Sequence, residues 1–181
     1  MLQLQEMITM HPRQVPFHVI AKPIGPVCNL ACDYCFYLDK AAIYPDESDW
    51  RMPLSTLEEF VKQYVAGQPG PVVSFAWQGG EPTLMGLEFF QKAVEYQKRY
   101  LPPGWRVENA FQTNGILLDA KWCEFLRENE FLVGISLDGP EQLHDAFRKD
   151  RNGGPTYNRV VSAIQLLQEH GVEYNVLCVV N

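Results

Sequence analysis

The stretch PVVSFAWQGGEP, residues 71–82, is a short apolar strand pattern that runs directly into two glycines. Val, Phe and Trp are enriched in strands, and glycine permits backbone conformations that other residues avoid. Similar apolar runs begin at Phe17 (FHVIAK), Trp105 (WRVENAFQ), Phe131 (FLVGISL) and Glu173 (EYNVLCVV), and Gly, Pro or polar residues bound them. The sequence therefore predicts five strands.

Helical patterns separate these strands. STLE, residues 55–58, has the spacing of a capping box, and apolar residues then recur at helical spacing until Gly67, the expected C-cap. Asp119 is a candidate N-cap, and Gly171 is expected to stop the last helix. The other helical patterns cover residues 87–94, 122–126 and 157–167. Strands that alternate with crossover helices form a parallel sheet, so we predict an α/β fold.

The bulk composition excludes several classes of protein. The chain has 181 residues and a net charge of −7, without the concentrated basic run that a nucleic-acid partner requires. No apolar stretch approaches the ~20 residues of a membrane span, and the N-terminus does not resemble a secretory signal. We expect a cytoplasmic protein with no nucleic-acid or membrane partner, consisting of an N-terminal arm at residues 1–16 and one domain at residues 17–181. The sequence stops after the fifth strand, and we expect it to be the front part of a longer protein.

Four unusual motifs follow the first four strands. They are a cysteine-rich loop (residues 28–35), GGEP (79–82), TNG (113–115) and SLDGP (136–140). The carboxyl ends of parallel strands share one rim, and α/β folds build their binding sites there. The sequence therefore predicts that these motifs form one site.

The cysteine-rich loop, CNLACDYC, contains Cys28, Cys32 and Cys35. A structural zinc site usually has four ligands in paired units, and the second pair is missing here. Cys123 and Cys178 are isolated and are expected to be buried in the core. Three thiolates can instead hold three irons of a 4Fe–4S cluster and leave the fourth iron open for a substrate or cofactor.

The spacing C-x-x-x-C-x-x-C, with Tyr34 before the third cysteine, resembles the signature of radical S-adenosylmethionine enzymes. In that family the amino and carboxylate groups of S-adenosylmethionine bind the open iron. The resemblance implies that Cys28, Cys32 and Cys35 hold a 4Fe–4S cluster and that Tyr34 borders the adenine of S-adenosylmethionine.

The other motifs match cofactor contacts of the same family. The resemblance implies that Gly79, Gly80 and Glu81 hold the ammonium group, and glycine suits this role because it lets the backbone approach a ligand closely. Ser136 matches a residue near the ribose or carboxylate. Arg148 matches a residue that pairs with the carboxylate, for which a two-pronged guanidinium is suited.

Simpler interpretations stand beside these assignments. GGEP could be a tight turn before a helix, and Arg148 a solvated surface charge. Thr113 and Asn114 match a polar rim position but also fit an Asn-Gly turn. Gln78 could contact the substrate or could be an ordinary polar residue at the end of a strand.

Longer segments resemble anaerobic sulfatase-maturating enzymes of the SPASM-domain group. These segments are residues 17–37, 74–90, 112–119 and 131–140. The resemblance implies a partial TIM-like barrel, of which this chain supplies five strands and four crossover helices. It implies oxidation of a Cys or Ser in an unfolded or nascent sulfatase to Cα-formylglycine through a 5′-deoxyadenosyl radical, with an electron donor such as flavodoxin or ferredoxin.

In that family the general base, an aspartate, and the auxiliary clusters lie beyond residue 181. We therefore assign no catalytic base within the chain, and we expect it to bind a cluster and cleave S-adenosylmethionine without forming product. Three alternatives stay open: another SPASM-type peptide-modifying radical enzyme, a truncated non-catalytic protein that binds metal or a partner, and a zinc-binding domain.

Overall fold

The computed structural model describes residues 15–44, 46 and 49–180. The predicted N-terminal arm at residues 1–16 lies outside the described residues except for its last two positions. Within the described part of the chain, no helix is long and apolar enough to cross a membrane.

The five predicted strands form one parallel sheet in the order β1-β2-β3-β4-β5. They are β1 (Ile20–Ala21), β2 (Val72–Trp77), β3 (Arg106–Thr113), β4 (Phe131–Ser136) and β5 (Tyr174–Leu177). Each crossover therefore advances by one strand in the same direction. A doubly wound sheet would reverse its strand order, so the sequential order confirms the predicted α/β fold of the partial-barrel type.

Five α-helices connect the strands, one more than the sequence predicted. They are α1 (Leu54–Gly67), α2 (Leu87–Tyr100), α3 (Ala120–Glu128), α4 (Glu141–Phe147) and α5 (Tyr157–Glu169). Both α4 and α5 lie between β4 and β5. Helix α4 was not predicted because it has only seven residues and only one of them, His144, is buried. Two short 3-10 helices, Lys40–Ile43 and Pro82–Met85, complete the described secondary structure.

The predicted capping box at residues 55–58 is wrong. Helix α1 begins at Leu54 with Pro53 as its N-cap, and no side chain caps it, so Ser55 is already inside the helix. Extended backbone at Pro53 fixes the start of the helix. The predicted C-cap is displaced by one position, because Gly67 is the last helical residue and Gln68 is the C-cap.

The other two predicted helix ends are confirmed. The Asp119 side chain accepts the backbone N–H of Trp122 at 2.9 Å and caps α3. Gly171 follows α5 with a φ of +65°, a conformation that glycine adopts without strain.

The core lies between the sheet and helices α1, α2, α3 and α5. Val73, Phe75 and Trp77 alternate along β2 and are each at most 2% exposed. The ring of Trp77 lies 6.2 Å from that of Phe60 on α1 and 5.6 Å from that of Phe90 on α2. Burial of such large rings supplies much of the stabilising free energy and fixes where β2 ends.

The glycine turn after β2 packs against the segment that leads from β1 into the cysteine loop. The N–H of Gly80 donates to the carbonyl of Gly25 at 2.8 Å, and the N–H of Glu81 donates to that of Val27 at 2.8 Å. A Cβ on Gly80 would lie 1.9 Å from the Val27 carbonyl oxygen, and one on Gly79 would lie 2.9 Å from that of Gly25. Both glycines are therefore required by the close approach of two backbone segments within the protein, a reason that the sequence did not indicate.

We expect Gly80→Ala to destabilise the chain by about 3 kcal/mol, because the new methyl group would overlap backbone atoms that cannot rotate away. Thermal unfolding measures the loss. Gly67→Ala is the control: it lies at the end of a helix, its Cβ would meet only the ring of Phe17 at 3.3 Å, and its effect is expected to stay below about 1 kcal/mol. Equal unfolding temperatures for the two variants would contradict the packing described here.

Candidate functional site

The cysteine loop is held by backbone hydrogen bonds on two sides. The segment before Cys28 is fixed to the glycine turn after β2, as described above. On the other side, the N–H of Ala31 donates to the carbonyl of Lys149 at 2.8 Å, and the N–H of Asp33 donates to that of Phe147 at 2.9 Å. We call residues 147–150, which begin at the last residue of α4, the clamp segment. Main-chain bonds on both sides restrict the conformations of the loop and hence the positions of its thiols.

The structure brings all the predicted site residues to one cavity of about 370 Å³ at the carboxyl ends of the strands. The residues of this cavity that the sequence had singled out are Cys28, Cys32, Tyr34, Cys35, Gln78, Gly79, Gly80, Glu81, Thr113, Asn114, Ser136 and Arg148. They come from all four motifs and from the clamp segment. The predicted single site is therefore present, while the role of each residue stays a prediction.

The sulfurs of Cys28 and Cys35 each accept backbone N–H groups. Leu30 donates to Cys28 Sγ at 3.4 Å, and Tyr37 donates to Cys35 Sγ at 3.4 Å. Burial raises the pKa of the Cys28 thiol to about 11, although the N–H of Leu30 acts in the opposite direction. Without a bound cation this thiol is protonated at neutral pH, and ligation requires loss of that proton.

Cys32 is the most buried cysteine of the loop, at 7% exposure. Burial raises the pKa of its thiol, whereas the positive charge of Arg148 and a hydrogen bond from that side chain lower it. Arg148 itself is only 8% exposed, so the interpretation as a solvated surface charge is wrong.

Asp138 holds Arg148 in place. Its carboxylate accepts Arg148 Nε at 2.8 Å and Nη2 at 3.2 Å, the two-pronged arrangement that suits a guanidinium. It also accepts a hydrogen bond from the hydroxyl of Tyr34 and another, at 2.9 Å, from the backbone N–H of Val179. Burial alone would raise the pKa of Asp138, but the bonds from Arg148 and Tyr34 hold it below its usual value. Asp138 belongs to the SLDGP motif, but its role was not predicted from the sequence.

Glu81 is 1% exposed, and its carboxylate is fully engaged within the protein. It accepts the N–H and hydroxyl of Thr83 at 3.0 and 2.6 Å, the hydroxyl of Thr113 at 2.8 Å and the N–H of Asn114 at 2.8 Å. Burial raises the pKa of Glu81, and these donors oppose that shift. Its side chain thus joins the GGEP turn to the TNG turn, and its predicted part in holding an ammonium group stays a prediction.

His144 supports the same site from α4 and was also missed. It is fully buried; Nδ1 accepts the N–H of Asp138 at 3.3 Å, and Nε2 lies 3.0 Å from the hydroxyl of Thr156. Its carbonyl accepts the N–H of Arg148 at 2.8 Å. Burial lowers the pKa of this imidazole, so it acts here as a neutral hydrogen-bonding group.

The three cysteines of this cavity carry thiols, the usual ligands of a 4Fe–4S cluster. Among the described residues, no three His, Cys, Asp or Glu side chains are placed to ligate one metal ion together. A cluster makes no such demand, because each thiolate binds a different iron. The three cysteines line a cavity whose wall continues into glycine backbone and polar strand ends, which leaves room for a further ligand.

Comparison with known proteins agrees with this assignment. The chain is 47% identical over 173 residues to the serine-type anaerobic sulfatase-maturating enzyme of Bacteroides thetaiotaomicron, covering 96% of this chain and 42% of that enzyme. It is 44% identical over 165 residues to the cysteine-type enzyme of Clostridium perfringens, covering 91% of this chain and 44% of that enzyme. The chain therefore spans less than half the length of these relatives.

A solved structure of native anSMEcpe with bound AdoMet and Cp18Cys peptide has the same fold. It superposes with a TM-score of 0.81 at 43% sequence identity, covering 91% of this chain and 43% of that one. The predicted resemblance to anaerobic sulfatase-maturating enzymes is thus confirmed over this part of the relatives.

Residues 23–181 match the radical SAM superfamily, whose members use a 4Fe–4S cluster and S-adenosylmethionine. The match includes the three cysteines, the glycine turn and the clamp segment. This chain belongs to the radical SAM superfamily.

Proposed function

We propose that this chain carries the cofactor-binding part of an anaerobic sulfatase maturase, which oxidises a Cys or Ser of an immature sulfatase to Cα-formylglycine. One observation carries the proposal. Three cysteines, a glycine turn, a buried serine and a buried arginine from separate segments of the chain line one cavity. The names of the relatives, which include both serine-type and cysteine-type enzymes, support the substrate class.

Cys28, Cys32 and Cys35 would hold the cluster. Together with S-adenosylmethionine, the cluster would supply a 5′-deoxyadenosyl radical that removes a hydrogen atom from the substrate carbon. The N–H of Leu30 favours the thiolate of Cys28 over its thiol, and the N–H of Tyr37 donates to the sulfur of Cys35. The loop is therefore suited to ligate irons once its thiols lose their protons.

The glycine turn and Ser136 would bind the amino-acid part of S-adenosylmethionine. Within the described residues, the carbonyl oxygens of Gly79 and Gly80 accept no hydrogen bond from the protein, so both are available to an ammonium group. Ser136 is 7% exposed and lines the same cavity at the end of β4. A hydroxyl there can donate to a ribose or carboxylate oxygen.

Arg148 would add positive charge beside the cofactor carboxylate. Asp138 occupies its Nε and Nη2 atoms, and a guanidinium has five N–H donors, so further donors remain. The pair with Asp138 also orients the guanidinium plane before any ligand arrives, which lowers the entropy lost on binding. The hydroxyl of Tyr34 donates to the Asp138 carboxylate, and the ring of Tyr34 would border the adenine.

Gln78 would contact the substrate peptide. Its backbone N–H is bonded to the carbonyl of Ala21 at 3.0 Å, which fixes the position of the residue, and it lines the cavity one position before the glycines. Reaction requires that the target carbon be held near the radical carbon with water excluded. A polar side chain at this edge can hold peptide groups in that position.

We expect Cys32→Ala to abolish cluster binding, because two thiolates leave a second iron without a protein ligand. Anaerobic reconstitution followed by iron and sulfide analysis and by visible absorption measures the loss. Cys178→Ser is the control: Cys123 is buried as predicted, but the prediction that Cys178 is buried is wrong, since its thiol is exposed and lies outside the cavity. Zinc bound in place of iron and sulfide by the unmodified chain would contradict the proposal.

We also expect the reduced, reconstituted chain to respond to S-adenosylmethionine. Ligand binding at the open iron should change the electron paramagnetic resonance signal of the reduced cluster, and 5′-deoxyadenosine should accumulate. Mass spectrometry of sulfatase-derived peptides with Cys or Ser at the target position then reports any oxidation. A well-formed cluster whose signal never changes on addition of S-adenosylmethionine would count against the assignment.

A further inference from the structure

The side chain of Asn114 lies against the sulfur of Cys28. Asn114 follows β3 directly and is 7% exposed. Its Nδ2 atom lies 3.6 Å from Cys28 Sγ and 2.7 Å from the side-chain oxygen of Asn29. An amide nitrogen carries two N–H groups, so one can be donated to each acceptor.

Other contacts fix the orientation of this amide. Its Oδ1 atom accepts the backbone N–H of Ile116 at 3.0 Å, an Asx turn, and its own backbone N–H donates to the buried carboxylate of Glu81 at 2.8 Å. If the amide were rotated by 180°, its nitrogen would face the N–H of Ile116 and its oxygen would face the side-chain oxygen of Asn29. In that orientation a donor would face a donor at Ile116, and an acceptor would face an acceptor at Asn29. The nitrogen of the amide is therefore the atom that faces the sulfur.

Two N–H groups face the sulfur of Cys28: the side-chain N–H of Asn114 and the backbone N–H of Leu30 at 3.4 Å. Only the first of them belongs to a side chain and can be removed by substitution. Cys28 is partly buried, and the negative charge of Glu81 disfavours a negative sulfur there. An N–H group directed at the sulfur has the opposite effect. Hydrogen bonds to ligand sulfurs, together with net charge and exposure, set the reduction potential of an iron–sulfur cluster.

We propose that Asn114 is a positioning residue that donates a hydrogen bond to the sulfur of Cys28 and thereby raises the reduction potential of the cluster. The inference rests on the proposed function, because it takes Cys28 as a cluster ligand. The N–H stabilises the additional negative charge that a one-electron reduction places on the cluster and its sulfurs. Asn114 thus helps to determine which class of low-potential electron donor can reduce the site.

Redox titration of the reconstituted chain, followed by electron paramagnetic resonance, tests this proposal. Asn114→Ala removes the donor, and Asn114→Asp replaces it with an anionic oxygen of the same shape. The potentials are compared at alkaline pH, where the introduced carboxyl is ionised. The reduction potential is expected to be highest in the unmodified chain, lower in Asn114→Ala and lowest in Asn114→Asp.

A purely structural role predicts a different order. Asp preserves the shape of Asn, keeps an acceptor for the N–H of Ile116 and suits the turn, so it would disturb the loop less than Ala. An Asp variant whose potential lies between those of the unmodified chain and the Ala variant would overturn the proposal. Loss of iron binding in both variants would also overturn it, because the proposal assigns Asn114 no part in retaining the cluster.

Asn29→Ala is the matched control. It removes the second partner of the Asn114 amide and an oxygen that lies 3.7 Å from Cys28 Sγ, but it keeps the N–H donor, so its potential is expected to stay at or above that of the unmodified chain. A shift equal to that of Asn114→Ala would contradict the inference. An unmodified chain that binds no cluster would instead refute the proposed function, whereas a cluster whose potential is unaffected by either Asn114 variant refutes only the inference.

Discussion

The site depends on the backbone hydrogen bonds that hold the cysteine loop between two segments distant in sequence. The loop leaves β1, a strand of only two residues, which by itself fixes little. The glycine turn after β2 binds the start of the loop, and the clamp segment binds its middle through Ala31 and Asp33. Because these bonds are made by main-chain groups, they set the path of the loop whatever the neighbouring side chains do.

Two buried carboxylates extend this arrangement to the other strand ends. Glu81 links the turn after β2 to the turn after β3, and Asp138 links the turn after β4 to Tyr34, Arg148 and the backbone that follows β5. Burial of an unpaired carboxylate is costly, but each of these accepts several donors, which offsets that cost. The walls of the cavity are therefore tied together before any cofactor binds, and this reduces the ordering that binding requires.

Much of this architecture could be predicted from the sequence, because the strands are apolar runs and each motif follows one of them directly. Contacts between distant residues could not be predicted in this way. Asp138 meets Arg148, Val179 and Tyr34 across separations of 10, 41 and 104 residues, and only the folded chain shows that one carboxylate serves all three. The two glycines of GGEP were predicted for close approach to a ligand, whereas the structure shows that the crowding comes from residues 25–27. Local patterns thus located the site, and tertiary packing determined how its residues are held.

Hydrogen exchange on the iron-free chain tests most directly whether the loop is held before the cluster binds. The amide hydrogens of Ala31 and Asp33 donate to the clamp segment, so they should exchange far more slowly than unprotected amides even without iron. Protection close to that of residues within β3 would agree with a preformed loop. Exchange at the unprotected rate, with protection that develops only when iron and sulfide are added, would show that the cluster organises the loop and would contradict this account.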